Sequence, residues 1–225
     1  MSLTKYNFMN VSGFCVFRDT PEYRKYATKC FDSMLKTQDY QFESYVYTNT
    51  PKWIEENYPK FKIKPLKEVT KLKKYKDITN LISNKLVAFD ELTKISDIVF
   101  CIDLDTEFKK SLKDLFPKLK KNSIYGSLEL DNYNNFTLSK RNFCNIFKVH
   151  YLKYINAGFL IFTFKFDFDI DDYNKFLKNR FITCCEQEYL SYKFKDRIKI
   201  INVSHNPCLK ENKDYYIFHY LGNFK

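Results

Sequence analysis

Two carboxylates two residues apart, Asp103 and Asp105, close the apolar run Ile98–Ile102 in the stretch IVFCIDLDTEF. On an extended chain they point the same way, so they can offer oxygen ligands to one hard divalent cation and leave positions open for a diphosphate. An unbroken apolar run of this length reads as a short strand buried on both faces, with the pair at its carboxyl end. In open α/β sheets that edge is where ligands sit. Asp-x-Asp also opens ordinary strand-to-loop exits, so it needs companions. Candidates follow along the chain: Lys85 within a helical pattern, Asn156 and Gly158 opening the apolar strand YINAGFLIFTF, Glu186 and Gln187 on a later helix, and His219, Gly222 and Lys225 in the ending YYIFHYLGNFK. Glycine at the head of an apolar strand suggests close backbone approach by a ligand or a neighbouring strand.

Glycine is otherwise scarce. Only Gly13, Gly126, Gly158 and Gly222 occur, and neither G-x-G-x-x-G nor G-x-x-x-x-G-K-[ST] can be written with them. Phosphate binding then has to come from metal, basic side chains or helix ends. The net charge of +11 admits a polyanionic partner, and a non-enzymatic basic nucleic-acid or polyanion-binding protein is the competing function. Nearly all of that charge is lysine, mixed with Asn, Ile, Tyr and Phe, as an AT-rich genome produces. The run Lys71, Lys73, Lys74 and Lys76 reads as a solvated face.

Cys15, Cys30, Cys101, Cys144, Cys184, Cys185 and Cys208 show no C-x-x-C spacing and sit largely in apolar runs, as buried thiols of a reducing compartment do. Cys184, Cys185, His205 and Cys208 lack the spaced pairs of a structural zinc site. Residues 1–30 hold no signal-peptide core, and the longest apolar run, 157–164, is too short to span a bilayer. A soluble, cytoplasmic protein is expected.

The elements that must hold these residues follow from periodicity. Strands are expected at 11–17, 42–48 and 61–66, alternating with a helix begun by Thr20-Pro21 and a short one begun by Thr50-Pro51. Tyr23, Ala27, Cys30, Phe31, Met34 and Leu35 share the face of the first helix. This alternation argues for parallel pairing in a Rossmann-like, nucleotide-binding α/β layer. Ile82, Leu86, Phe89 and Leu92 line a helix leading to the central strand, with Lys85 near its start. Ser111 and Asp114 suggest a capped short helix limited by Pro117, 123–130 a strand, 131–145 a long Asn-rich surface loop, 171–181 and 185–194 helices, and 198–203 a last strand. One domain spanning 1–225 is expected.

The order of amphipathic helix, apolar strand ending in D-x-D-T, NAG, acid-glutamine pair and terminal H-x-x-G-x-x-K resembles glycogenin and its relatives, the family-eight retaining glycosyltransferases of GT-A fold. The resemblance runs over residues 11–225 and implies a donor-binding half at 11–110 and an acceptor-side half at 111–225. It implies that Asp103, Asp105 and His219 bind Mn²⁺ or Mg²⁺ and that Leu104 lies against the donor between them. An imidazole beside two carboxylates favours manganese. It further implies a UDP-sugar donor, with Gly222 beside the phosphates and Lys225 neutralising the leaving diphosphate. Lys85 matches a basic residue reaching the donor, and Tyr23 an aromatic stacked on uracil. Asn156, Ala157 and Gly158 match the family's Asn-Ser-Gly, with alanine replacing serine. Glu186 and Gln187 match its Asp-Gln pair at the anomeric carbon, with a side chain one methylene longer. The implied reaction transfers a sugar with retention to a hydroxyl of a glycan, protein or small molecule, and a homodimer is an allowed assembly. The segment between D-x-D and NAG is longer than in glycogenin, so the acceptor side is expected to differ.

Other D-x-D families fit less well. A haloacid-dehalogenase-type phosphatase needs threonine or valine where Glu107 stands, and a sugar-nucleotide pyrophosphorylase needs a Gly-rich loop where the chain has RDTPEY.

Overall fold

The computed structural model describes residues 10–38, 42–70, 76–129, 133–179, 182–201, 204–205 and 215–220, with 76–78, 133 and 204–205 in backbone only. Strand β1 (Val11–Val16) leads into helix α1 (Pro21–Thr37), whose start follows from its sequence: Thr20 Oγ1 accepts from the Tyr23 amide at 3.2 Å, and Pro21 occupies the first turn, where an N–H is not needed. Ala27, Cys30, Phe31 and Met34 pack inward, while Leu35, expected beside them, is exposed. Strand β2 (Glu43–Tyr47), helix α2 (Lys52–Asn57) and strand β3 (Lys62–Lys64) complete the first unit, with β1, β2 and β3 parallel.

Helix α3 (Lys76–Leu92) then carries the chain to β4 (Ile98–Ile102), which pairs in parallel with the other side of β1. The direction of winding therefore reverses between β1 and β4. A crevice opens beyond the carboxyl ends of two strands at such a reversal, and Asp103 follows β4 directly into it. Strand β4 is buried on both faces as its composition requires: Val99 and Cys101 join the core under α3, while Ile98, Phe100 and Ile102 join the core under α1.

The next strands are β5 (Thr106–Phe108), β6 (Ile124–Leu128), β7 (Ile155–Phe162), β8 (Ile198–Ile200), β9 (Ser204–His205) and β10 (Ile217–His219). The main sheet has the order β3-β2-β1-β4-β7-β6-β8, parallel except for β7, which runs against both neighbours. A small sheet, β5-β10-β9, lies beside it, and its antiparallel register sets His219 opposite Thr106. Among the described residues, no helix is long and apolar enough to cross a membrane.

Two local expectations change. Residues 112–118 form turns and a 3-10 helix at Phe116–Lys118 in place of the capped α-helix, because Pro117 can neither donate to the carbonyl four residues back nor fit beside it. Leu112, Leu115 and Phe116 are buried all the same. Residue 130, at the end of the expected strand, and residues 131–132 of the expected loop at 131–145 lie outside the described residues, and helix α4 (Leu138–Phe147) forms beyond a 3-10 turn. Thr137 caps it by accepting from the Lys140 amide, and burial of Phe143 and Cys144 outweighs the helix's weak apolar pattern. Helices α5 (Ile170–Leu177) and α6 (Cys185–Lys193) agree with expectation within a few residues. Cys15, Cys30, Cys101, Cys144 and Cys185 are buried free thiols, and burial pushes Cys30 up to about 12. Cys208 lies outside the described residues.

Candidate active site

The acidic pair sits in a turn rather than on the expected extended segment, and hydrogen bonds hold that turn from three directions. The Asp103 amide donates to the Gly158 carbonyl at 2.8 Å, the Tyr220 amide donates to the Asp105 carbonyl at 2.8 Å, and Thr106 Oγ1 donates to the Asp103 carbonyl at 2.7 Å. Leu104 is buried in the α1-side core and so orients the carboxylates on either side of it. His219 Nε2 lies 3.1 Å from Asp105 Oδ1 and 3.9 Å from Asp103 Oδ2. One ligand atom from each of Asp103, Asp105 and His219 falls within 4.8 Å of the others.

These residues fit a divalent cation. Two carboxylate oxygens and one imidazole nitrogen converge from two segments, and the carboxylates keep an open side, with side chains 31% and 15% exposed. Burial works against a charged imidazole at His219, but the hydrogen bond to Asp105 and the charges of Asp105 and Asp103 outweigh it and hold its pKa above the ordinary value. Its Nδ1 is buried without a hydrogen-bond partner among the described residues.

Gly158 sets where that ring can lie. A Cβ there would stand 2.1 Å from His219 Cε1 and 2.4 Å from Nδ1. Gly158→Ala is expected to push the ring aside and lower divalent-metal affinity about 10–100-fold, the usual cost of disturbing a ligand's support. Titration with Mn²⁺ checks this, and unchanged affinity would remove His219 from the site.

Lys85 joins the remaining pieces. Helix α3 is buried on every side from Ser83 to Phe89, so Lys85, mid-helix rather than near its start, is only 5% exposed. Its Nζ lies 2.6 Å from Asp103 Oδ1 and 3.4 Å from Glu186 Oε1, and donates to the Ala157 carbonyl at 3.3 Å. Burial alone would lower its pKa, but the charges of Asp103 and Glu186 prevail and keep it above the lysine range. Burial in turn raises the Glu186 carboxyl, against the pull of Lys85.

Helix α6 is fixed at its start by Glu188, whose carboxylate accepts from the Thr183 amide at 2.7 Å, the Cys184 amide at 2.8 Å, Thr183 Oγ1 at 3.1 Å and the Tyr154 hydroxyl at 3.2 Å. Glu186 and Gln187 consequently face β7. Gln187 Oε1 accepts from the Ala157 amide at 3.1 Å, and its Nε2 is buried without a hydrogen-bond partner among the described residues. Glu188→Ala would leave two amides and a phenol unsatisfied, at a cost of about 3 kcal/mol. A thermal midpoint within a degree of wild type would contradict that role.

Asn156 is more constrained than a donor-sugar ligand need be. Its Oδ1 accepts from the Gly158 amide at 2.8 Å and its Nδ2 donates to Glu129 Oε2 at 2.8 Å. Tyr23 is partly buried on the first turn of α1. Burial raises its phenol first, and the charge of Asp103 raises it further. Gly222 and Lys225 lie outside the described residues.

Three supporting residues had no assigned role in the sequence. Glu129, at the end of β6, holds Asn156 and pairs with Lys140 of α4. Tyr220 bonds to both Lys29 and Glu107, fastening the strand that carries His219. Glu188 fastens α6. An acid at a strand's carboxyl end was the one available signal for Glu129. Nothing local marks the others, whose partners are distant in sequence.

Over 93% of its own length and 87% of the other's, this chain is similar to the galactosyltransferase LgtC in complex with donor and acceptor sugar analogs, with TM-score 0.66 and 14% identity. This chain has the GT-A glycosyltransferase fold. The apo bifunctional glycosyltransferase WbbM is similar over 99% of this chain, with TM-score 0.67 and 14% identity, although the match spans only 47% of WbbM. Mouse xyloside xylosyltransferase 1 in its apo form matches over 94% of this chain and 97% of its own, with TM-score 0.62 and 10% identity. No protein-family model and no curated protein matches the sequence.

Proposed function

We propose that the protein is a metal-dependent, retaining glycosyltransferase of the glycogenin-like family eight, moving a sugar from a UDP-sugar to a hydroxyl acceptor. The observation that carries this is convergence. Lys85, the Asp103–Asp105 turn, Ala157 and Gly158, Glu186 and Gln187, and His219 come from five separate segments and meet at the reversal point of the sheet. A protein that only binds polyanions through surface lysine has no need of such a buried polar cluster.

Asp103, Asp105 and His219 would hold Mn²⁺ or Mg²⁺, which when bound supplies Lewis-acid stabilisation to a departing diphosphate. The chain's own residues do the rest. Lys85 fixes Asp103 and Glu186 relative to each other, and so keeps the metal side and the sugar side of the site in register. Gln187 presents an unpaired amide donor beside the Ala157 backbone, where a sugar hydroxyl or ring oxygen can accept. Glu186 is held by Lys85 at the same wall, and its reach, longer than aspartate's, shapes the donor-sugar pocket. Tyr23, on the first turn of α1, would stack on the uracil. The acceptor's proton passes to a donor phosphate oxygen, and no side chain is assigned as nucleophile. The single GT-A domain has its donor side at 11–110, with His219 contributed from the later half.

The test is incubation with a panel of UDP-hexoses and UDP-pentoses in Mn²⁺, following UDP release and the anomeric proton of the product by NMR. Release of UDP with the product in the donor's anomeric configuration is expected. No release from any donor, or an inverted product, would contradict the proposal.

A further inference from the structure

The opposite end of the sheet carries a surface that transfer chemistry does not use. Strands β1 and β4 begin there and α1 ends there. Leu35, near the end of α1, is 54% exposed, and Ile95, in the turn before β4, is 59% exposed. Both line one open groove of about 840 Å³ that also takes in Gln38 and Lys60. Gln38 Nε2 donates to the Lys110 carbonyl and its Oε1 accepts from the Leu112 amide, which ties the segment 109–121 to the edge of the groove, and that segment leads into β6, which begins at the same end of the sheet as β4. There Leu112, Leu115 and Phe116 turn inward, whereas Lys118, Lys120 and Lys121 are exposed. Lys36 and Lys60 are exposed as well. Among the described residues, none of these five lysines has a carboxylate within ion-pair distance.

We propose that this face docks on a bilayer containing anionic phospholipid. Exposed aliphatic side chains among lysines without counter-ions match the headgroup boundary, where apolar tips enter and ammonium groups meet phosphate and carboxylate. Charge complementarity with nucleic acid is poorer in kind: strand binding uses exposed aromatic faces and arginine forks, whereas among the described residues the groove is lined by no arginine, Phe61 is buried, Phe42 is half-buried, and the lining acid Glu43 is already paired with Lys62. Docking here turns the carboxyl end of the sheet, with Asp103, away from the lipid. The proposal does not depend on the transferase function.

Co-sedimentation of the full chain with phosphatidylcholine vesicles, with and without roughly one-third phosphatidylserine, is the test, run at low salt and at about 0.5 M salt. Binding only to the serine-containing vesicles, weakened by salt, is expected. Lys118→Glu with Lys120→Glu and Lys121→Glu should reduce partitioning about 100-fold. Leu35→Ser with Ile95→Ser should reduce it at unchanged charge, and this pair decides the matter if the lysine variant does not fold. Both variants are expected to keep the wild-type thermal midpoint within a few degrees. Wild-type partitioning by the folded variants overturns the proposal, as does tighter binding of a single-stranded RNA than of these vesicles at the same salt.

Discussion

Changing Asp103 and Asp105 together to asparagine is expected to lower UDP-sugar turnover by on the order of 10³-fold, the scale seen when a main source of electrostatic stabilisation is lost. The fold should survive. Asp105 and Asp103 lie at the open side of the site, and Lys85 keeps Glu186 as a partner when Asp103 loses its charge. The pair of amides presents the same shape with no net charge, so metal affinity falls with activity. Steady-state turnover with saturating Mn²⁺ is the check, alongside circular dichroism. Activity within tenfold of wild type, in a folded protein, would mean that the carboxylates are an ordinary strand exit.

Lys85→Met is expected to have the largest effect on stability. Removing one partner of a buried ion pair leaves an uncompensated charge and typically costs about 3–5 kcal/mol. Here two carboxylates lose their cation at once, and Glu186 has little access to water. For a chain of this size the loss corresponds to a drop of roughly 10 °C in thermal midpoint. Adding Glu186→Gln should recover a good part of the loss, because the second change removes the stranded charge. A simple helix-packing role for Lys85 predicts no recovery, so the double variant separates the two explanations.

Much of this arrangement was legible in the sequence, for identifiable physical reasons. The apolar run 98–102 could only be a strand covered on both faces, and the acids had to follow it. Thr20-Pro21 fixed the start of α1 through a side-chain cap and a pre-set dihedral, both local effects. The helix at 138–147 was not legible, because its stability comes from burying Phe143 and Cys144 in a core assembled from distant segments. The reach of Lys85 was suggested by resemblance alone. Its burial follows from α3 being enclosed on all sides, a tertiary fact that periodicity does not contain. Gly158 was flagged as a place of close approach, and what approaches it is His219, which sequence separation conceals.

Binding of UDP should depend on a divalent cation held by Asp103, Asp105 and His219. UDP-induced thermal stabilisation, with and without Mn²⁺, tests it most directly. A ligand at a hundredfold excess over its dissociation constant adds about 2.7 kcal/mol of apparent stability, which for this chain is roughly 5–10 °C. A shift of that order is expected with UDP and Mn²⁺ together, abolished by EDTA and by His219→Ala. No shift with UDP or GDP under either Mn²⁺ or Mg²⁺, or an equal shift in EDTA, would contradict it.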